Sequence, residues 1–209
     1  MTPKSEQRRR ELCDAAIELL AADGARGLTH LRVDRRAGFA DGTTSFYYQT
    51  RAALLRGAMD RVIELDVADF TAALDATGNG EVDSLLSTLA TQAMRTAVEP
   101  ERSRAQARFE LMMIASRDRQ LGKGFDGLMD RFVALGEAAV AQVQPAGTSD
   151  PELIKEQAFA VVTFLGGFLF RLAYGLTDLD SAKSLEKYLH SVIAGVAADH
   201  QVTGNSSIP

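Results

Sequence analysis

Four consecutive residues, Asp41-Gly42-Thr43-Thr44, combine small size with hydrogen-bonding groups that could recognise DNA bases. A threonine hydroxyl can hydrogen-bond a base edge or place its methyl group on thymine, and a carboxylate can accept from the cytosine amino group. A carboxylate also repels phosphate, so Asp41 has an alternative role of equal standing as the N-cap of a helix that begins there. Base recognition of this kind requires that the first turn of a helix enters the major groove.

Residues on either side of this segment could bind the phosphate backbone. A threonine and its neighbouring amides at a helix N-terminus attract anions, and tyrosine or arginine side chains can donate to phosphate oxygens. An arginine on a helix surface is often only solvated, so this set is larger than the number of expected contacts. The candidate donors to phosphate are Thr29, Thr44, Tyr47 and Arg51, with added positive charge from Arg32, Arg35 and Arg36.

The spacing of apolar residues predicts the helices that must position these groups. Leucines and alanines recur every three or four residues over about 5–22, which is the pattern of an amphipathic first helix. Thr29 is a suitable N-cap for a second helix, and Gly38 ends that helix because glycine tolerates a left-handed backbone. A turn then leads to a third helix over 42–48. The motif over about 29–48 has the pattern of a helix-turn-helix.

Helices are predicted for the rest of the chain as well. No alternating strand pattern bounded by turn residues occurs in it. Thr50 caps a fourth helix that continues towards Leu74, and Phe46 and Tyr48 are expected to pack inside the N-terminal domain. Further breaks, which bring the total to about nine helices, are expected at residues 75–80, 99–100, 122–124, 145–151 and 175–180.

The predicted organisation is all-α with two domains of different charge. Residues 1–58 hold ten Lys and Arg against seven Asp and Glu, whereas the rest of the chain holds 13 against 21. A basic N-terminal region on an acidic body is expected of a protein that meets DNA at one end only. The expected parts are a three-helix DNA-binding domain over 1–52, a helical regulatory and dimerisation domain over 53–200, and a disordered polar tail over 201–209.

The cellular compartment is predicted from three features that the sequence lacks: a cysteine pair, a signal peptide and a membrane-spanning segment. Its single cysteine, Cys13, excludes an intramolecular disulfide and is expected to be a packed thiol. The N-terminal segment has acidic residues within its apolar part and no cleavage site, so it is predicted to be a helix rather than a signal peptide. The longest apolar run, residues 159–170, is shorter than the roughly 20 residues of a membrane span. We expect a cytoplasmic protein without a membrane partner.

Two late helices carry apolar residues at alternating steps of four and three, which suits nearly parallel or antiparallel packing in a bundle. The first of these helices is apolar nearly all round and must be buried on every side. One face inward and one face against a second subunit is the favoured arrangement, and central burial in a monomer is the alternative. The predicted dimer interface consists of Val162, Leu165, Leu169, Leu172, Leu185, Leu189, Val192 and Val196.

The motif residues together resemble the DNA-binding domain of the tetracycline-repressor (TetR) family, over roughly residues 8–60. The resemblance implies an all-helical homodimeric repressor, with three helices for DNA and about six for a ligand pocket and dimerisation through the last two helices. It rests on Thr29-x-x-x-Val33, Ala37-Gly38-Phe39, Gly42-Thr43, Phe46-Tyr47-Tyr48 and Thr50-Arg51-x-x-Leu54. The implied DNA-binding residues are Thr29, Arg32, Asp41, Gly42, Thr43, Thr44, Ser45, Tyr47 and Arg51.

Three positions depart from the pattern of that family. Asp34 stands where alanine is usual, Ser45 replaces a frequent aromatic residue that reaches phosphate, and Arg51 replaces a frequent lysine. Ser45 and Arg51 keep the capacity to hydrogen-bond. A buried unpaired carboxylate is costly, so Asp34 is expected at an exposed edge or beside an arginine.

A ligand pocket is predicted from apolar and aromatic residues on the middle and late helices. Such residues are more often plain core, but the resemblance to the TetR family favours a cavity for a small hydrophobic effector. The candidate pocket residues are Phe109, Met112, Met113, Phe125, Met129, Phe132, Phe159 and Thr163.

Enzyme motifs are nearly absent, and no cofactor or metal is predicted. The three histidines are far apart in sequence, and there is no HExxH, P-loop or GxSxG pattern. Residues 122–127 match GxGxxG, but a dinucleotide site needs a strand before it, and the preceding residues are helical in character. We interpret this segment as a flexible joint between helices.

The leading hypothesis is a homodimeric repressor that binds a palindromic operator and is released by a small apolar effector. One rival is a helix-turn-helix regulator with a filled core and no small-molecule effector. The other is an all-α ligand carrier or enzyme with a vestigial helix-turn-helix. Alanine at Thr43 and Arg51 would leave the activity of a carrier or enzyme intact but abolish DNA binding by a regulator.

Overall fold

A computed structural model describes residues 3–78, 84–145 and 150–205 of the 209-residue chain. Over these residues the chain forms nine helices and no strand, which confirms the predicted all-α class. The helices are α1 (Pro3–Gly27), α2 (His30–Arg36), α3 (Thr43–Tyr47), α4 (Arg51–Gly78), α5 (Leu85–Arg95), α6 (Glu101–Ala115), α7 (Arg119–Gln142), α8 (Pro151–Ala173) and α9 (Ala182–Asn205).

The chain divides into two compact units. The first comprises the residues up to Ala68 together with Ala97–Leu128, and the second comprises Asp69–Thr96 together with the residues from Met129 onward. Helix α4 is continuous and contributes to both units, so the units cut across the predicted domain boundary at residues 52–53. That boundary remains a prediction about function.

In the first unit, α1 supplies the centre of the core. Leu12, Ala16 and Leu20 are fully buried on one face, as the amphipathic spacing predicts. The helix is interrupted at Gly24, whose φ of 63° is a left-handed value that favours glycine, and helical turns resume as far as Gly27. Helix α6 packs along α1, and the Glu110 carboxylate accepts a hydrogen bond of 3.3 Å from the Ala25 amide.

A buried ion cluster joins α4 to α6 within the first unit. Asp66 is 4% exposed. Its two carboxylate oxygens contact Arg104 Nε at 3.1 Å and an Arg108 guanidinium nitrogen at 2.7 Å. Removing one member of such a cluster would leave an uncompensated buried charge, at a cost of about 3–5 kcal/mol. The cluster therefore fixes α4 firmly against α6.

In the second unit, α8 and α9 pack lengthwise, and α5 packs on both. Leu185 and Leu189 of α9 are fully buried between them. Gln157 of α8 is 1% exposed and donates from Nε2 to the Ile193 carbonyl of α9 at 2.9 Å. It also accepts a 2.9 Å bond from Gln144, so the buried amide is satisfied.

Two predicted helix boundaries were wrong or shifted. Residues 122–124 lie inside α7 rather than at a joint, since the turn falls earlier, at residues 116–118, where Asp118 accepts from the Leu121 amide at 3.3 Å. Helix α9 runs to Asn205, into the segment 201–209 that was predicted to be disordered, because extending an existing helix adds one hydrogen bond per residue. Residues 75–78 of the expected break at 75–80 belong to α4. Residues 79–80 of that break, 146–149 of the break at 145–151 and 206–209 of the predicted tail lie outside the described residues.

Among the described helices, α8 alone has the length and apolar composition of a membrane span, with a mean hydropathy of 1.5 over 18 residues. The sequence prediction, which considered only residues 159–170, missed this. The helix nevertheless packs along α9 and carries the hydrogen-bonded Gln157 in its buried face.

One ion cluster in the second unit generates a pH prediction. His200 of α9 lies 2.9 Å from a Glu156 carboxylate oxygen and 3.4 Å from one of Asp150, the N-cap of α8. The hydrogen bond to Glu156 raises the pKa of His200 above its ordinary value of 6.5, with a further contribution from Asp150. Because the folded pKa is the higher one, the stabilisation is complete below pH 6.5 and is lost as the pH rises through the folded value.

We expect the urea midpoint of the wild-type protein to fall between about pH 6 and pH 8 more than that of His200→Gln, since only the wild type loses this pairing. The matched control is His190→Gln, an exposed histidine on the same helix. An identical pH dependence in the wild type and in His200→Gln would contradict the assignment.

Candidate nucleic-acid interface

The helix-turn-helix is built by local caps. Thr29 has extended backbone angles, and its hydroxyl accepts from the Arg32 amide at 3.3 Å, so it is the N-cap of α2 as predicted. Gly38 follows the end of α2 with a φ of 71°, a conformation that glycine adopts without strain. Thr50 caps α4 by accepting from the Ala53 amide at 3.1 Å. These three predictions are confirmed, and together they fix where α2 ends and α4 begins.

Asp34 of α2 caps the following helix, α3. The residue is 1% exposed, and its carboxylate accepts bonds from the Gly42 amide at 2.8 Å and the Thr44 amide at 2.6 Å. The Thr44 hydroxyl donates to the same carboxylate at 2.5 Å. The prediction that Asp34 is exposed or paired with an arginine was therefore wrong. Three donors at the positive end of α3 satisfy the buried charge instead.

This interaction corrects two predicted roles. Thr44 is fully buried, and both its amide and its hydroxyl are bound to Asp34, so it is not available to contact a base or a phosphate. Asp41 does not cap α3, whose N-cap is Gly42 with no side-chain cap. Its carboxylate is largely exposed, 3.8 Å from Arg35 Nε. Of the two roles considered for Asp41, the capping role is excluded and base contact remains a prediction.

The exposed side of α3 is formed by polar residues and one aromatic ring. Thr43 is half-buried, and its hydroxyl donates to the Ala40 carbonyl at 2.7 Å, while Ser45 is exposed. Phe46 is 80% exposed, so the expectation that it packs inside the domain was wrong. Its ring meets the ring of the half-buried Tyr47 edge-on, with centroids 5.1 Å apart. Because Asp34 and Thr44 occupy the inner face of α3, Phe46 is left on the outer face.

Tyr48 packs inside, as predicted, and ties the end of α3 to α1. Its hydroxyl lies 3.0 Å from Cys13 Sγ, and burial raises the pKa of that thiol to about 11. Burial and the same hydrogen bond raise the pKa of the Tyr48 hydroxyl well above its ordinary value. Both groups therefore stay protonated at neutral pH. Gly57 of α4 faces the ring, and a Cβ atom there would lie 2.6 Å from it, so only glycine fits.

Two arginines of the predicted DNA-binding set, Arg32 for its positive charge and Arg51 as a phosphate contact, bind the carboxyl-terminal end of α1. Arg32 donates to the Gly27 carbonyl at 3.0 Å and pairs with Asp23, and Arg51 donates to the Ala25 carbonyl at 2.5 Å. A helix C-terminus attracts cations, so these contacts hold α2 and α4 in register with α1. Both arginines are also exposed, and phosphate contact by either remains a prediction.

Sequence reasoning missed His30 as well as the capping role of Asp34. His30 Nε2 lies 2.7 Å from the Tyr48 carbonyl and so links the start of α2 to the end of α3. Neither role has a local signal, since the partners are 18 residues away for His30 and 8 to 10 residues away for Asp34. The polar residue at an expected alanine position was the only hint for Asp34.

Three of the eight residues of the predicted dimer interface belong to the intramolecular core. Leu172, Leu185 and Leu189 are buried inside the second unit and cannot supply contacts to a partner, and the other predicted positions, Val162, Leu165, Leu169, Val192 and Val196, are half-buried. The three buried residues pack within one chain because the same spacing also describes two helices of one chain packing together. A role of the five half-buried residues in a dimer remains a prediction.

The exposed residues of α8 and α9 lie about one sequence position away from the residues of the predicted seam, on the adjacent stripe of each helix. It includes large apolar side chains, since Phe159 is 72% exposed, Tyr188 53%, Phe170 45% and Tyr174 42%. Small exposed residues lie between them on both helices. We name this the α8–α9 face; it comprises Phe159, Thr163, Gly166, Gly167 and Phe170 of α8, Tyr174 at the C-cap of α8, and Tyr188, Ser191, Gly195 and Ala198 of α9.

The candidate pocket residues are distributed over both units. Phe109, Met112 and Phe125 in the first unit, and Met129 and Phe132 in the second, are buried or half-buried, and the Phe132 ring meets Phe70 at 5.0 Å. Three others do not fit an enclosed wall: Met113 is 59% exposed, Phe159 is 72% exposed, and Thr163 is exposed beside it on the α8–α9 face. The pocket itself remains a prediction.

Comparison with known proteins identifies the fold. No protein-family model matches the chain, and no curated protein sequence matches it significantly. Among solved structures, a member of the TetR family from Streptomyces coelicolor A3 superimposes with a TM-score of 0.67 at 23% identity, covering 91% of this chain and 98% of the other.

Two further matches are with proteins solved with small molecules. A regulator from Saccharomonospora viridis in complex with choline gives a TM-score of 0.70 at 14% identity, covering 90% of this chain and 96% of the other. The multidrug binding protein EbrR with imidazole gives 0.61 at 23% identity, covering 88% and 94%. The predicted fold, a helix-turn-helix followed by a helical body, is thereby confirmed.

The capping role of Asp34 makes a stability prediction. Asp34→Ala should lower the free energy of unfolding by about 3 kcal/mol, because it leaves the buried Thr44 amide and hydroxyl and the partly buried Gly42 amide without an acceptor. Thr44→Val removes only the hydroxyl and should cost about 1 kcal/mol. Urea denaturation of the full chain measures both values. Equal, small effects of the two variants would show that the carboxylate does not cap α3.

Proposed function

We propose that this chain, which has the fold of the TetR-family transcriptional regulators, is a cytoplasmic DNA-binding regulator without enzymatic activity. It acts as a homodimeric repressor on a palindromic operator and is released by a small hydrophobic effector.

The observation that carries the proposal is the arrangement of α3. Asp34 fixes the first turn of this helix against α2, while Thr43, Ser45 and Phe46 remain on its accessible side. A groove-reading helix needs this combination, because base contacts depend on a rigid helix with solvent-accessible side chains near its N-terminus. A phenylalanine ring can pack on thymine methyl groups, so we add Phe46 to the predicted base-reading residues.

Dimerisation through the α8–α9 face is supported by its exposed apolar side chains. Aromatic residues are enriched at protein interfaces, and the glycines between them allow two helix backbones to approach closely. A second copy related by a two-fold axis would cover the same face on both subunits. We call the helix-turn-helix of each subunit its reading head. The two reading heads of such a dimer would bind half-sites about 34–36 Å apart on one side of the duplex.

A small-molecule effector is supported by the two matched proteins that were solved with choline and with imidazole. The effector must favour one conformation over the other, because a ligand with equal affinity for both shifts nothing. Helix α4 is the proposed lever. It begins beside the reading helix at Arg51, is held to α6 through Asp66, and continues without a break into the second unit.

A gel-shift titration with the DNA upstream of the gene tests the proposed function. We expect a sequence-specific complex whose affinity falls roughly a thousandfold between about 50 and 200 mM salt. Thr43→Ala should weaken binding to this DNA about tenfold per subunit and leave binding to unrelated DNA unchanged, since one base contact is lost in each half-site. Thr91→Ala, on the exposed side of α5, is the control. If no specific, salt-sensitive shift is seen, the proposed function fails.

The proposed dimer face is tested by Phe170→Glu. A carboxylate in the centre of an apolar interface should convert the dimer to a monomer in light scattering and lower operator affinity at least tenfold. Val98→Glu places the same charge at an apolar side chain that is 57% exposed in the other unit, and it should leave the dimer intact. A dimeric Phe170→Glu protein would place the interface elsewhere.

A further inference from the structure

A cleft lies within the first unit, between α1 and the start of α4, with the end of α3 at its rim. Its volume is about 590 Å³. The walls include Arg9 and Arg10 of α1, Tyr47 of α3, and Thr50 and Arg56 at the start of α4. None of these residues except Tyr47 belongs to the DNA-contacting set predicted from the sequence. The cleft therefore gathers basic groups, distinct from the predicted DNA-contacting set, beside α3, the proposed reading helix.

Arg9 is the residue that suggests a ligand. Its guanidinium lies over two aromatic rings, 5.4 Å from the centroid of Tyr47 and 5.2 Å from that of Tyr48. This stacking holds the planar group in one orientation. Its Nε atom is buried and makes no hydrogen bond to any part of the chain that the structure describes. Because Nε is closed to solvent, an external acceptor would bind the other nitrogens of this half-buried guanidinium, which lines the cleft.

The two ends of the cleft differ in charge. At the inner end, Glu64 is 3.1 Å from an Arg10 guanidinium nitrogen and 3.0 Å from one of Arg61, so the acidic and basic groups there neutralise each other. The outer end, beside the first turns of α4, is lined by Arg9 and Arg56 and by the Asp60 carboxylate. Two guanidinium groups against one carboxylate leave this end with a net positive charge. An anion would therefore occupy the outer end.

The outer end also adjoins the reading helix. Tyr47 forms part of the wall, and its ring contacts the exposed ring of Phe46 on α3. A helix seated in the major groove is flanked by phosphates on both sides. A phosphate of the bound duplex could thus reach the outer end of the cleft while α3 contacts the bases.

We propose that the outer end of this cleft is a phosphate-binding site, in which the guanidinium of Arg9, oriented by Tyr47 and Tyr48, binds the oxyanion, and Arg56 adds positive charge. In the DNA complex the occupant is a phosphate of the operator backbone, which rests on the proposed function. A free phosphate compound presents the same oxyanion and is the other source. The guanidinium fork suits either, because it donates two parallel hydrogen bonds to a phosphate.

The DNA arm compares the wild type with Arg9→Gln by measuring affinity over a range of salt concentrations. Loss of one phosphate contact in each reading head should lower the slope of log K against log salt by about 0.9 per head. It should also weaken operator and unrelated DNA equally, by about tenfold per head. Arg117→Gln makes the same charge change at an exposed residue outside the cleft and should leave the slope unchanged.

The second arm uses no DNA. Inorganic phosphate and pyrophosphate are titrated against chloride at constant ionic strength, and the melting temperature of each variant is followed. Stabilisation of the wild type that is absent from Arg9→Gln identifies a site for free phosphate compounds. If phosphate does not stabilise the wild type but Arg9→Gln has a reduced salt slope, the occupant is a phosphate of the operator backbone. Arg56→Gln, at an exposed position, supplies a second variant if Arg9→Gln does not fold.

The proposal is overturned if Arg9→Gln and Arg56→Gln match the wild type in both arms. A wild-type protein that binds no DNA would refute the proposed function but leave the phosphate titration to decide on the cleft. If the wild type binds the operator, Arg9→Gln has the same salt slope, and phosphate stabilises neither protein, the cleft site is refuted and the proposed function stands.

Discussion

The buried carboxylate of Asp34 is the interaction on which the helix-turn-helix depends. It receives two backbone amides and a hydroxyl from the first turn of α3, so a residue of one helix completes the hydrogen bonding of the next. A charge that is 1% exposed would be unfavourable without these donors. With them, the carboxylate sets the angle and register of α3, because moving the helix would leave the buried Asp34 carboxylate without hydrogen-bond donors.

Other polar contacts in the first unit work in the same way, by joining ends of helices to one another. Arg32 and Arg51 bind carbonyls at the end of α1, and His30 lies beside the carbonyl of Tyr48, the C-cap of α3. Glu110 of α6 accepts from the amide that follows the break at Gly24. These groups satisfy backbone atoms that a helix end leaves open. The candidate interface is thereby held rigid, while the outer side of α3 stays free.

The second unit shows how one spacing can serve two purposes. Apolar residues in steps of four and three form the seam between α8 and α9 of one chain, with Leu185 and Leu189 at its centre. The exposed aromatic residues of the α8–α9 face occupy the adjacent stripe of the same helices. A helix that is apolar nearly all round has two faces to bury, one inside its own chain and one against another surface. The sequence pattern alone does not say which stripe of residues packs against which neighbour.

The sequence by itself determined the all-α class, the helix-turn-helix and its caps at Thr29, Gly38 and Thr50, because caps and periodicity act over three or four residues. It misplaced the joint at 122–124, since glycines weaken a helix without ending it. Only the tertiary structure decided that Asp34 caps α3, that Thr44 is buried, that Phe46 is exposed and that Leu185 is core. Those outcomes depend on partners in other helices, and a partner's position is a property of the packed chain.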